Sequence, residues 1–238
     1  LMYADDTLLM SSSVANLQEL LQKVIDQGAR YGLELNWDKT VQLGIGTPER
    51  LVQPSGDPIK SVREAVYLGG LVTCDGKSLP ELKRRLGEGR KALDVLSELW
   101  AHTGISRRRK IEIYKACVVS KVIYSLESLW LLSSEVKRLD AFHVACLRKI
   151  SGIKHSYVSR VSNAEVLQQT GERPLSELLL HRQCQLYDKI TKKPLDDPLR
   201  KLVCKEDGSP QVWVHSRRRG RPRQTWARQV YAVASQAS

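Results

Sequence analysis

A chain of 238 residues with 42% hydrophobic residues can bury a core, and its 38 Lys and Arg against 26 Asp and Glu give a formal charge of +12, a surface that attracts polyanions. No run reaches the roughly 20 apolar residues of a spanning helix and no charged-then-apolar leader opens the sequence, so the expectation is an intracellular protein of nucleus or cytoplasm, without a membrane, whose first partner is nucleic acid. The five cysteines, Cys74, Cys117, Cys146, Cys184 and Cys204, are odd in number and form no C-x-x-C pair, which predicts reduced thiols, mostly core, rather than a disulfide framework or a zinc site.

The sequence opens inside an apolar, strand-like run, Leu1-Met2-Tyr3-Ala4, which predicts a further segment before it. Asp5-Asp6 interrupts that run and Thr7-Leu8-Leu9-Met10 resumes it, the pattern of a hairpin with a polar tip. After Ser11, Ser12 and Ser13, apolar residues at Leu17, Leu20, Leu21, Val24 and Ile25 have the spacing of a helix with one buried face, ended by Gly32. Alternation at Leu33 and Leu35, then at Val41, Leu43 and Ile45, predicts two half-buried strands separated by Asn36-Trp37-Asp38-Lys39-Thr40. A polar loop follows to about Lys60. Residues Ala65 to Val72 read as a strand whose glycines, in Tyr67-Leu68-Gly69-Gly70, let a backbone or ligand approach closely.

Beyond this point the period is helical throughout. Ser78-Leu79-Pro80-Glu81 has capping-box spacing and is followed by Leu82, Leu86, Leu93, Leu96 and Leu99. Further helices are expected near Ser106, near Ser134 and at Pro174. The second of these carries Leu139, Phe142, Cys146, Leu147 and Ile150 on one face, with Arg138, Arg148 and Lys149 elsewhere around it. The last has Leu175, Leu178, Leu179 and Leu186 inward. From about Lys193 the chain is richer in Pro, Gly and Arg, the composition of a loosely ordered tail. The predicted class is α+β, with short antiparallel strands and a helix in residues 1–76, an all-α region in 77–192 and a basic tail in 193–238.

Certain residues in this order carry chemistry. Two-metal nucleotidyl transfer needs carboxylates held rigidly and close together, and an Asp pair at a hairpin tip meets that need. Adjacent side chains on a flat strand point to opposite faces, so only a turn lets Asp5 and Asp6 share a site; an ordinary Asp-containing turn is the competing reading. Asn36 suits either a turn or a substrate contact. The clusters Lys83-Arg84-Arg85, Arg90-Lys91 and Arg107-Arg108-Arg109-Lys110 suit a phosphate-tracking surface, against the usual fate of a charge run as a solvated helix face. Near the end, His215 to Arg223 holds five arginines and no acid. Its Arg219-Gly220-Arg221-Pro222 resembles the core of an AT-hook, a minor-groove binder, with a disordered basic loop or a localisation signal as the competing readings.

Tyr3-Ala4-Asp5-Asp6, then Gly32-Leu33-Glu34-Leu35-Asn36-x-x-Lys39-Thr40, then Tyr67-Leu68-Gly69, resemble in order the late palm motifs of non-LTR (LINE-type) retrotransposon reverse transcriptases. The resemblance continues through Ile105-Ser106, Lys110, Tyr114, Tyr124, Trp130 and Cys146-Leu147-Arg148 with Ile150, Gly152 and Ile153. It implies that residues 1–76 are a partial palm and 77–192 a thumb and connection region of an RNA-directed DNA polymerase. Asp5 and Asp6 would be the catalytic metal ligands, with Mg²⁺ as cofactor and Tyr3 and Ala4 beside them at the nucleotide and primer site. Asn36 and Lys39 would border the nucleotide, Lys39 acting on the pyrophosphate as general acid or as a neutralising charge. Tyr67, Leu68 and Gly69 would grip the primer, where a core strand with a bulge is the alternative. The implied partners are an RNA template, a DNA primer and deoxynucleotides, with Lys83, Arg84, Arg107, Arg108, Arg109, Lys110, Arg219, Arg221 and Arg223 on nucleic acid. The resemblance further implies that this stretch alone is inactive, since an earlier Asp and the fingers complete the site in that family. The competing function is an inactive or domesticated nucleic-acid-binding relic.

Under either function, binding should release condensed counterions. Affinity for a nucleic-acid probe is expected to fall linearly in log–log form, by about a thousandfold between roughly 50 and 200 mM salt if about six phosphates are neutralised; titration across a salt series reads this, and a flat response would remove the electrostatic account.

Overall fold

In a computed structural model, residues 2–3, 5–101, 104–212 and 225–237 are described. The chain divides into two compact units, Leu1–Pro80 and Glu81–Ser238. All the strands of the described residues lie in the first unit. No helix of the described residues is long and apolar enough to cross a membrane.

In the N-terminal unit, β1 (Met2–Tyr3) runs antiparallel to β2 (Asp6–Thr7), with Met2 opposite Thr7 and Tyr3 opposite Asp6. Helix α1 (Val14–Ala29) begins at Ser13, whose hydroxyl accepts the Asn16 amide at 3.4 Å, the local signal that Ser/Thr/Asn/Asp supply at helix starts. Its Leu21 is buried with Leu51 and Ile59, and Leu17, Ile25, Leu35 and Trp37 pack against them. Strand β3 (Val41–Leu43) pairs in parallel with β4 (Lys60–Val62).

Two glutamine side chains tie the connecting loop down by imitating a backbone ladder. The Gln42 amide donates to the Glu49 carbonyl at 2.7 Å and its oxygen accepts the Leu51 amide at 2.8 Å. Gln18 does the same with both backbone groups of Val52, at 2.9 Å each. Strands β5 (Glu64–Tyr67) and β6 (Gly70–Thr73) form an antiparallel hairpin.

Three expectations for this unit are corrected. Its strands are not all antiparallel, since β3 and β4, joined by a long connection, run in parallel. Residues 33–35 form no strand: the Leu33 amide donates to the Gly28 carbonyl at 3.0 Å, so the segment closes the C-terminus of α1, after the left-handed Gly32 (φ +70°), and Leu33 itself is 68% exposed. Residues 65–72 are not one strand but two, because Leu68 (φ +46°) and Gly69 (φ +75°) are both left-handed, the requirement of the tight two-residue hairpin turn.

The C-terminal unit is helical. Helix α2 (Leu79–Ala101) buries Leu82, Leu86, Leu93 and Trp100, while Leu99, expected on that face, is exposed. Glu81 is buried, and its carboxylate accepts from Arg84 Nε and Arg85 Nε, each at 2.7 Å. Helix α3 (Arg107–Tyr114), capped by the Ser106 hydroxyl on the Arg109 amide, continues through a π-helical turn (Lys115–Val119) into α4 (Ser120–Ile123). A 3₁₀ turn (Leu126–Ser128) leads to α5 (Ser133–Ser151). The single-turn α6 (Ser156–Ser159) precedes α7 (Asn163–Thr170) and α8 (Leu175–Thr191).

The main core joins α2, α3, α4, α5, α7 and α8, with Tyr114, Val118, Val122, Ile123, Leu139 and Leu147 among its buried members. Inside it the Tyr114 hydroxyl and His143 Nδ1 lie 2.8 Å apart; burial lowers the His143 pKa and pushes the neighbouring Cys146 thiol up to about 11. All five cysteines are free thiols, of which Cys146 and Cys204 are buried and Cys117 is exposed.

Order also extends into the region whose composition predicts a loose tail. Helix α9 (Pro198–Val203) is capped by Asp197, and α10 (Trp226–Ala237) packs on α8. Val230 is fully buried with Tyr187 and Ile190, and the Trp226 indole donates to the Glu127 carbonyl at 2.8 Å. Trp226 and Val230 are one helical turn apart, a local apolar period that the basic average of the region conceals.

Gly87 and Gly89 separate space from propensity within α2. A Cβ on Gly87 meets nothing within 4 Å, whereas one on Gly89 would collide with Val122 and reach 3.0 Å from Phe142. Gly87→Ala is expected to stabilise the chain by about 0.5–1 kcal/mol, and Gly89→Ala to destabilise it by about 1–3 kcal/mol, both measured by urea unfolding. At the β5–β6 turn, Leu68→Asn is expected to add about 0.5–1 kcal/mol, because Asn tolerates the left-handed backbone that a leucine strains to hold; an unchanged unfolding midpoint would show that the leucine side chain offsets the strain.

Candidate functional site

The Tyr3-Ala4-Asp5-Asp6 segment folds as a tight hairpin. Asp5 sits in the turn, Asp6 is the first residue of β2, and Tyr3 lies across from it; Ala4 lies outside the described residues. All three described side chains are exposed. Their oxygens are hard donors of the kind Mg²⁺ takes, usually as one or two carboxylates completed by phosphates and water. Among the described residues no group of three or more His, Cys, Asp or Glu side chains assembles, so this hairpin offers a pair of carboxylates and nothing beyond it.

The Asn36-x-x-Lys39-Thr40 spacing has a local physical cause. The Asn36 side-chain oxygen accepts the Lys39 amide at 3.1 Å, and its carbonyl accepts the Thr40 amide at 3.0 Å and the Thr40 hydroxyl at 2.7 Å. Asn36 is thereby occupied in building the turn, as Asn characteristically is, and Lys39 is held on it with an exposed side chain. Tyr67, Leu68 and Gly69 make the end of the β5–β6 hairpin, with Tyr67 opposite Gly70 and Leu68 39% exposed at the tip. The candidate residues of the N-terminal unit therefore occupy three separate turns, each one organised by its own local hydrogen bonds or backbone geometry.

The basic candidates of the helical unit divide sharply. Lys83 and Arg107 are exposed. Arg84 is clamped between Glu81, at 2.7 Å, and Glu88, at 2.9 Å, with its side chain 27% exposed, which makes it part of the helix's own ion-pair cluster. That cluster was visible in Glu81-x-x-Arg84-Arg85-x-x-Glu88, where acids lie three and four residues from the arginines. Arg108 and Arg109 both reach Glu112, at 3.5 and 2.8 Å, and the hydrogen bond from Arg109 holds the Glu112 carboxyl below its usual range. The Lys110 ammonium lies 5.9 Å from the centre of the Trp100 ring. Arg107, Arg108 and Lys115 line an open groove of about 930 Å³ whose other wall includes Gln168 and Gly171. Arg219, Arg221 and Arg223 lie outside the described residues.

Arg148, expected off the apolar face of α5, is buried. Its guanidinium donates to the Lys154 carbonyl at 3.0 Å, the Val161 carbonyl at 2.7 Å and Asn163 Oδ1 at 3.2 Å. Two of those partners are backbone oxygens, which leave no mark in a sequence.

No family model matches the chain, and no solved structure is similar to it. Over 162 residues it is 24% identical to an uncharacterized transposon-derived protein of Caenorhabditis elegans, covering 64% of this chain and 56% of that protein. The chain thus spans little more than half the length of the relative it matches, and its similarity is to a protein of transposon origin.

Proposed function

We propose that this chain is the end of the palm, followed by the thumb, of an RNA-directed DNA polymerase of the non-LTR retrotransposon kind. The observation that carries this reading is the order of Tyr3-Ala4-Asp5-Asp6, Asn36-x-x-Lys39-Thr40 and Tyr67-Leu68-Gly69, three segments that lie at turns, where functional residues concentrate. Similarity to a transposon-derived protein is in keeping with it.

In this reading the primer 3′-hydroxyl attacks the α-phosphate of a deoxynucleotide paired to RNA, and pyrophosphate leaves. Asp5 and Asp6 would hold Mg²⁺, which would supply charge stabilisation to the phosphoryl transfer. Lys39, presented by its Asn36-built turn, neutralises or protonates the leaving pyrophosphate. Tyr67, Leu68 and Gly69 steady the primer end, and exposed cations such as Lys83 and Arg107 follow the phosphate backbone. A non-catalytic, nucleic-acid-binding role is the second reading, which needs only exposed cations such as Lys83 and Arg107.

Primer extension on a primed RNA template with Mg²⁺ separates the two. The 238-residue chain by itself should not extend, because a pair of carboxylates is a poor Mg²⁺ site without further ligands. Joined to a polymerase segment that supplies another carboxylate strand and the fingers, it should extend, and Asp5→Ala should then lower the rate by about a thousandfold or more, the loss of several kcal/mol of charge stabilisation. Robust extension by the bare chain, or full activity of the Asp5→Ala enzyme, would overturn this assignment.

A further inference from the structure

Between Asp140 and Glu165 the sequence contains no acidic residue, while Arg148, Lys149, Lys154 and Arg160 are cationic. The stretch joining α5 to α7 in this acid-free region is built with unusual care for a connection. Buried Arg148 ties both of its ends, through the Lys154 and Val161 carbonyls, and the Ser159 hydroxyl donates to the same Lys154 carbonyl at 2.9 Å. The acid that follows, Glu165, is engaged in a reciprocal cap with Ser162. Lys149 is paired with Asp94 at 2.9 Å.

What this rigid excursion displays is an aromatic ring among cations. Tyr157 is 79% exposed. The Arg160 guanidinium lies 5.9 Å from the centre of its ring, and Lys154 and His155 are exposed beside it in the chain. Arg160 also occupies a conformation it does not favour. Helices α5 and α7 end on the left-handed glycines Gly152 (φ +68°) and Gly171 (φ +69°), whereas α6 ends on Arg160 at φ +59°. An arginine kept where the neighbouring helices use glycine points to use of the side chain rather than to demands of the fold.

We propose that residues 154–160 are a docking platform for an unpaired nucleic-acid strand, with Tyr157 stacking on a base and Lys154 and Arg160 contacting the flanking phosphates. The chemistry selects this ligand: an exposed ring adjoining cations, with no carboxylate in the segment, matches a base face and its phosphates, and a base inside a duplex has no free face to offer. The inference stands on charge and geometry and does not rest on the polymerase reading.

Fluorescence anisotropy with the full chain tests it, using a labelled oligodeoxythymidine of about ten nucleotides and a blunt duplex of the same length. Tyr157→Ala should weaken single-strand binding by about fivefold or more and leave duplex binding unchanged, while Tyr157→Phe keeps the affinity. Arg160→Gly should weaken strand binding while the thermal midpoint holds or rises, because the left-handed strain is relieved. Absence of strand binding by the parent chain, unchanged strand affinity in Tyr157→Ala, equal losses on strand and duplex, or a lowered midpoint with full affinity in Arg160→Gly would each overturn the proposal. Primer extension by the same variants keeps the two readings apart, since extension can fail while Tyr157-dependent strand binding persists, and the converse.

Discussion

The helical unit depends on how closely α4 and α5 approach α2 at Gly89. There is no room for a side chain at that point, because Val122 and Phe142 already fill the space a Cβ would take. Leu86 and Leu93, about one turn to either side, are buried in the same core. So tight a contact draws charged groups of the same helix out of water. Arg85, one turn before Gly89, is buried, and Glu81 is more deeply buried still. Their carboxylate–guanidinium bond at 2.7 Å and the Arg85 stack over Tyr124 at 4.6 Å compensate charges that the packing has desolvated. Removing one partner of such a pair costs far more than the pair itself contributes, because the other is left charged in a dry site. The cluster is a consequence of close packing rather than its cause.

Much of this architecture was legible where its cause is local. Helix starts at Ser13 and Ser106 follow from hydroxyls that satisfy a single amide, and the close of the first helix at Gly32 from a glycine that turns left-handed freely. Legibility failed where one pattern has two physical realisations. Two alternating leucines, Leu33 and Leu35, serve equally as a strand or as the segment that folds back over a helix end. At Tyr67-Leu68-Gly69-Gly70 the turn is made by Leu-Gly rather than the Asn-Gly that announces such hairpins, so the apolar run reads straight through it. Beyond Lys193 the average composition hides a short apolar period, and Val230 is buried although the region around it is basic on average.

The candidate site was legible as an order of motifs, and the reason for one of them emerged only with coordinates. Asn-x-x-Lys-Thr is a spacing because Asn36 must reach the amide three residues on and its carbonyl must receive Thr40. A turn of that kind forms for its own sake, so the spacing alone does not specify chemistry; what it does is hold Lys39 outward. The excursion after α5 carried no comparable signal. Its geometry is set by Arg148 acting on backbone carbonyls, and Arg148 reads from the sequence as one more surface cation on an amphipathic helix.

Net charge therefore describes this surface poorly until each cation is located. Arg85 and Arg148 are buried among oxygen partners and Arg84 is bound to two acids of its own helix. Lys115 is paired with Glu172 and Lys149 with Asp94. A polyanion can gain little from the buried Arg85 and Arg148, since it would have to displace a bonded carboxylate or carbonyl in a dry site to reach them. It meets instead the exposed Lys83, Arg107, Lys154 and Arg160. The number of counterions released on binding follows phosphate contacts and not formal charge, so the folded chain presents fewer independent phosphate sites than a sum over lysines and arginines suggests. Two of them, Lys154 and Arg160, lie on the segment that Arg148 ties through its backbone carbonyls.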